Sequence, residues 1–155
     1  MKKRLTYEQA LHKAAALCTR AEKCSYDIRQ KLLSWELTTE ESSAIIKTLI
    51  TQQFIDDARY CAFFIKDKTR FNKWGKIKIR YALQAKKIDE LLINKALDTI
   101  DSESTLKQLR ELLQQKSKNI KYKDNYEKKG KLIRFALSRG FEMHHIQAVL
   151  QEIEE

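Results

Sequence analysis

Ile28-Arg29-Gln30-Lys31-Leu32, Ile79-Arg80-Tyr81-Ala82-Leu83 and Ile133-Arg134-Phe135-Ala136-Leu137 share the pattern I-R-x-x-L and begin 51 and 54 residues apart. Each is followed by I-x-x-x-L, at Ile45 to Leu49, Ile93 to Leu97 and Ile146 to Leu150, with gaps of 13, 10 and 9 residues from the first Leu to the second Ile. Ile and Leu four apart lie on one helical face, so each copy reads as two amphipathic helices joined by a short connection. A further helix precedes each pair. The first runs from about Tyr7 to Lys23 with Leu11, Ala14, Ala15, Leu17 and Cys18 on its apolar face. The second runs from about Asp57 to Thr69 with Cys61, Phe64 and Ile65, and the third starts near Ser104 with Leu106, Leu109, Leu112 and Leu113. Ser25, Asp56 and Ser104 read as N-caps. The fold class is therefore all-α, three tandem three-helix repeats over 5–53, 54–101 and 102–155. One unit of about 50 residues has little core of its own, so the units are expected to pack on each other or share a linear interface. Lys116 to Gly130 breaks the apolar pattern and reads as a helix end plus a mobile, Lys-rich loop.

Composition agrees. The 155 residues contain no proline and three glycines, Gly75, Gly130 and Gly140, too few for turn-rich sandwiches or barrels or for a Gly-rich phosphate loop. No apolar run approaches the ~18 residues of a membrane span. The basic start Met1-Lys2-Lys3-Arg4 has no signal-peptide apolar core after it, since Glu8, His12 and Lys13 interrupt. Cys18, Cys24 and Cys61, without CxxC spacing, read as small core residues of a cytoplasmic protein rather than a disulfide or zinc framework.

Phe54-Ile55-Asp56-Asp57-Ala58-Arg59-Tyr60, at the seam between the first two units, resembles the signature of the RecX family, bacterial proteins that regulate the RecA recombinase. Ile79 to Leu97 fits it too, as does Arg139-Gly140-Phe141 with Ile146 to Leu150 after it, so the resemblance covers about Ala10 to Leu150. It implies an elongated, curved array of three-helix repeats that sits in the groove of the RecA–DNA filament and bridges protomers. It further implies suppression of ATP hydrolysis and strand exchange in recombination and DNA repair. Family members often end the second helix of a repeat with a Lys/Arg-Gly pair, and only Arg139-Gly140 keeps it. Glu36 after Trp35 and Lys87 after Lys86 stand at the corresponding places. Either these are left-handed non-glycines, at ~1 kcal/mol each, or the turn differs, as the 13-residue gap of the first unit suggests. The seam residues Phe54, Ile55, Asp56, Asp57, Arg59 and Tyr60 read as structural first. Asp56 can cap the next helix, and Arg59 can pair with Asp56 or with a neighbouring unit.

The net charge of +10 is unevenly spread. Lys66 to Lys87 carries nine cations and one acid, and Lys116 to Arg139 nine cations against Asp124 and Glu127. One-signed runs of this kind suit a polyanion or an acidic groove. The expected contact residues are Lys66, Arg70, Phe71, Lys73, Lys76, Arg80 and Lys87, then Lys121, Lys123, Lys128, Lys131, Arg134 and Arg139. At 100° per residue, Lys76, Arg80 and Lys87 fall within ~40° of each other on one helix. Phe71 and Trp74 could stack single-stranded bases, but Trp74 more readily fixes a helix angle by burial. Trp35 and Tyr81 read as packing residues.

No catalytic constellation is visible. His12 stands alone, and the adjacent His144 and His145 point about 100° apart and cannot share a metal as an i,i+4 pair does. Glu152, Glu154 and Glu155 read as a solvated tail. The expectation is a monomeric regulator with no enzymatic activity, cofactor or metal. Its partner would be the RecA filament, with single- or double-stranded DNA touched directly. The competing reading is a general nucleic-acid-binding helical-repeat module.

Overall fold

The computed structural model describes residues 4–154; Met1, Lys2 and Lys3 of the basic start and Glu155 of the acidic end lie outside them. The described residues form nine α-helices and no strand: α1 (Tyr7–Arg20), α2 (Ser25–Ser34), α3 (Thr39–Thr51), α4 (Asp57–Asp67), α5 (Lys76–Ala85), α6 (Glu90–Leu97), α7 (Ser102–Ser117), α8 (Asn125–Ser138) and α9 (Met143–Glu154). None is long and apolar enough to cross a membrane. A π-helical turn, Lys68–Asn72, follows α4 directly.

Local chemistry sets the helix ends. Thr6 and Thr38 form reciprocal capping boxes with Gln9 and Glu41 at the starts of α1 and α3. The cap of α7 is Asp101, not Ser104; its carboxylate accepts the Ser104 N–H at 2.7 Å, because the free backbone donor lies three residues after the cap. Ser25 does not cap α2 either. Cys24 holds the cap position without a side-chain bond, and the Ser25 N–H donates instead to Asp57 at 2.8 Å. The Lys-rich loop is shorter than its composition suggests. Asp124 accepts the Glu127 N–H at 2.8 Å and starts α8, so Gly130 lies inside a helix.

The second helix of all three repeats ends in the same left-handed turn. Glu36 (φ 66°), Lys87 (φ 55°) and Gly140 (φ 89°) occupy it. In the first copy Glu36 N–H donates to Leu33 O and Leu37 N–H to Leu32 O; in the third Gly140 N–H donates to Leu137 O and Phe141 N–H to Ala136 O. These are Schellman closures, and the residue after the turn is buried each time: Leu37, Ile88 and Phe141. The third helix starts three residues after the left-handed residue in every copy, so the first unit has no longer turn.

Aligning the repeats on this turn corrects the sequence register. Ile28, Ile79 and Leu132 are equivalent, as are Leu32, Leu83 and Ala136, and all six are buried. The I-R-x-x-L match at Ile133 is therefore one residue out of phase, with Ile133 half-buried and Leu137 exposed. Likewise Ser42 takes the place of Ile93 and Ile146, and its buried hydroxyl has no hydrogen-bond partner. Tyr81, expected in packing, is exposed on α5, whereas Trp35 packs against the first core with the Lys13 ammonium 4.6 Å from its ring centre.

The chain divides into two compact units, one running to Phe64 with Leu83–Ile93 and one of Ile65–Ala82 with the chain from Asn94 onward. The first is built on Ala10, Ala14, Ile28, Leu32, Leu37, Ile45, Ile46, Leu49 and Ile55. The seam motif ties it together. Asp56 accepts the Arg59 N–H at 3.0 Å, and Arg59 reaches the Gln53 and Phe54 carbonyls and Glu22 rather than the Asp56 carboxylate. Cys24 and Cys61 are buried free thiols, and burial pushes them up to about 12 and about 11. In the second unit Leu109, Leu113, Leu132, Ala136, Phe141, Ile146, Val149 and Leu150 form the core.

Two glycines meet in this second unit. Gly75 N–H donates to Arg139 O at 2.7 Å, and Ile77 N–H donates to Gly140 O at 3.0 Å. A Cβ on Gly75 would stand 2.5 Å from the Gly140 oxygen, and one on Gly140 would stand 2.4 Å from Lys78 Cβ. Main chain thus lies on main chain where the approach to α5 crosses the end of α8. Arg139 donates to Asn72 O and Lys78 to Ser138 O, bracing the crossing on both sides.

Gly75→Ala is expected to destabilise the protein by roughly 1–3 kcal/mol through this overlap. Gly130→Ala, whose Cβ would meet only the flexible end of Arg134, is expected to stabilise by up to ~1 kcal/mol through helix propensity. Urea unfolding of both variants checks the opposite signs. Glu36→Gly removes a strained left-handed Glu and Ser42→Ala removes an unsatisfied hydroxyl. Each is expected to raise the unfolding free energy by about 1 kcal/mol, and the urea midpoint with it; a lowered midpoint for either contradicts its assignment.

Candidate nucleic-acid and partner interface

The Gly75–Gly140 crossing decides where the basic residues stand. It brings both cation-rich stretches, Lys66 to Arg80 and Lys121 to Arg139, into the second compact unit. Lys87 does not join them. α5 ends at Ala85, and the left-handed turn at Lys87 takes it off the helical face it was expected to share with Lys76 and Arg80. It falls in the first unit, next to Lys86, whose ammonium bonds Asp27 at 2.7 Å and is held above its ordinary pKa by that bond.

The candidates in the second unit fall into two groups. Lys66, Arg70, Phe71, Lys73, Lys121, Lys123 and Arg134 are exposed. Phe71 is 70% exposed on the π-helical turn, with the Arg70 guanidinium 5.3 Å from its ring centre. Trp74 is half-buried, its ring flanked by the ammonium groups of Lys68 and Lys78 at 5.1 and 4.8 Å. The first aromatic is available to a partner, and the second spaces the cations around it.

The other group is committed inside the protein. Arg139 is half-buried, donates to Asn72 O at 2.9 Å and lies over Phe135. Lys131 bonds Lys121 O and Glu127. Arg80 donates to Asn94 Oδ1 at 2.6 Å, as Arg29 does to Ser43 in the first repeat, each across fourteen residues. Lys128 stands over Tyr122, and Lys76 is half-buried.

A feature absent from the sequence expectation lies on α8. Lys123, Asp124, Tyr126, Glu127, Lys129, Gly130, Ile133 and Arg134 line an open groove of ≈ 670 Å³. Tyr126, 90% exposed, and Gly130 are among its lining residues. The signal was present in Tyr122-Lys123-Asp124-Asn125-Tyr126, where aromatics alternate with charge. It read as a loop because the lysines hide the helix start.

His144 and His145 differ from expectation. Their ring centres are 4.0 Å apart, and His145 is mostly buried rather than a surface side chain. The 100° offset describes Cα–Cβ directions. At the first turn of α9 no preceding helical turn obstructs the side chains, so their rotamers converge. Burial holds His145 below the ordinary histidine range, with the neighbouring His144 acting the same way. Glu152 and Glu154 are exposed as expected but belong to α9 rather than to a tail, and Glu152 bonds Arg110 at 2.7 Å.

Comparison with known proteins places this arrangement. Residues 56–97 match the RecX second three-helix domain and residues 103–150 the RecX third three-helix domain. Regulatory protein RecX of Clostridium acetobutylicum is 32% identical over 95% of this chain, which spans 70% of that protein. Regulatory protein RecX of Haemophilus ducreyi is 31% identical over 90% of the chain, which spans 88% of it. Against the Clostridium botulinum (strain Alaska E43) RecX the chain spans 61% of the relative's length. The crystal structure of RecX from Lactobacillus salivarius shares the fold, with a TM-score of 0.86 at 20% identity over 96% of both chains. With two of its three repeats matched to named RecX domains and its seam motif in the place that order requires, the chain belongs to the RecX family.

Proposed function

We propose that this protein regulates a RecA-type recombinase by binding the recombinase–DNA filament in its groove and damping ATP hydrolysis and strand exchange. Membership of the RecX family carries this reading. The cation-rich second unit supports it physically. A filament presents phosphates and acidic protein surface together, and Lys66, Arg70, Lys73, Lys121, Lys123 and Arg134 are exposed to meet either. Bound across neighbouring protomers, an inserted helical array obstructs the relative movements that nucleotide turnover requires. It acts as a monomer in the cytoplasm and touches DNA directly through Phe71 and the cations around it.

The exposed ring of Phe71 in a cationic setting also suits a general binder of single-stranded nucleic acid. The two differ in what binding requires. Simple phosphate binding weakens with salt at a slope of about 0.9 per phosphate contact on duplex and less on single strands. Filament binding additionally requires the recombinase.

A coupled ATPase assay on RecA–single-stranded-DNA filaments is expected to show hydrolysis falling as this protein is added. Unchanged hydrolysis at saturating protein overturns the proposal. The exposed triple variant Lys73→Glu, Lys123→Glu, Arg134→Glu is expected to weaken filament binding at least about tenfold, since each reversal replaces attraction by repulsion. Binding that survives the triple variant shows that these exposed cations are not the ones used.

A further inference from the structure

We propose that Glu142, His144 and His145 form a divalent-metal site, of the zinc class, at the start of α9. The three residues lie together directly after the Arg139-Gly140-Phe141 turn, and one ligand atom from each falls within 4.8 Å of the others. Glu142 Oε2 is 3.6 Å from His144 Nε2 and 3.5 Å from His145 Nδ1. These separations are long for hydrogen bonds. They suit a shared ion, because two donors ~2.0–2.1 Å from a tetrahedral zinc stand about 3.3 Å apart.

A second observation points the same way. His145 Nδ1 is buried and has no hydrogen-bond partner. A buried polar atom left unpaired is uncommon and calls for a water or an ion. An ion held by the imidazoles and the carboxylate supplies that partner, and two nitrogens with one oxygen are borderline ligands that favour zinc over magnesium or calcium.

The backbone supports the cluster on rigid ground. Gly140 sets the turn, Phe141 anchors it in the core, and the Glu142 carbonyl accepts the N–H of His145 and of Ile146 at 3.1 Å. His144 faces solvent, with 71% of its side chain exposed, so the fourth position opens outward to water or to a partner's ligand. Lys76 shares a small cavity with Glu142 and His145. The site thus adjoins the Gly75–Gly140 crossing, and a bound ion would clamp the α8–α9 turn beside it.

The test uses the full chain with zinc chloride and with cobalt(II) as spectroscopic probe. Equilibrium dialysis is expected to give one zinc per chain. His144→Asn and Glu142→Gln are each expected to weaken it at least tenfold, since losing even an outer-shell partner of a metal ligand costs about 10–100-fold. Both positions are solvent-accessible, and circular dichroism confirms that the variants fold. Cobalt is expected to show the weak visible bands of nitrogen and oxygen ligation. Absence of saturable binding, or binding unchanged in both variants, overturns the proposal. So does a thiolate charge-transfer band that disappears in Cys18→Ser, which would assign the metal to cysteine.

Discussion

The contact on which the second unit depends is the one between Gly75 and Gly140. Two main chains approach so closely that neither position admits a Cβ, and the peptide groups satisfy one another directly: Gly75 to Arg139 and Ile77 to Gly140. Such a crossing is selective because a buried peptide group without a partner is costly and a side chain in the way would force the two segments apart. Its consequence reaches the surface. The two glycines stand 65 positions apart, and the crossing places the cations that follow α4 in the same compact unit as those of α8. Neither stretch alone gathers as many.

Repetition in this chain is a repetition of backbone geometry more than of letters. Each second helix closes through a left-handed residue and buries the residue after it. Glycine is the natural occupant, yet two copies use Glu36 and Lys87. Both tolerate φ > 0 at modest cost because their side chains are exposed and the closure hydrogen bonds hold them there. The first repeat carries a second departure, Ser42 where its counterparts bury isoleucine. Matching by residue type therefore slid the motif by a turn in that copy and by one residue in the third.

Charge is divided between scaffold and surface. Arg139, Lys131, Lys78 and Arg80 bond groups within the second unit. Arg59 does the same in the seam, where Asp56 and Asp57 each cap a helix, one its own and one distant. A run of basic residues thus supplies two roles at once. The exposed members remain around Phe71 and along the Tyr126 groove. Which lysine or arginine belongs to which role depends largely on the carbonyls that long-range packing brings within reach, as for Arg139 and Lys78, and in part on near neighbours, as for Lys131 with Glu127.

Helix content, the threefold repeat, the concentration of cations and the family were all legible in the sequence, because each rests on residues within a few turns of one another. Periodicity of Ile and Leu reports a buried face, and Asp56 before α4 reports a cap. Tertiary structure decided what depends on partners far along the chain. It laid Gly75 against Gly140 in a main-chain crossing and bound Asp57 to the start of α2. It also drew Glu142, His144 and His145 into one cluster, where helical angles alone predict divergence. The physical reason is the same in every case: local sequence sets where a side chain leaves the backbone, and only packing decides what it meets.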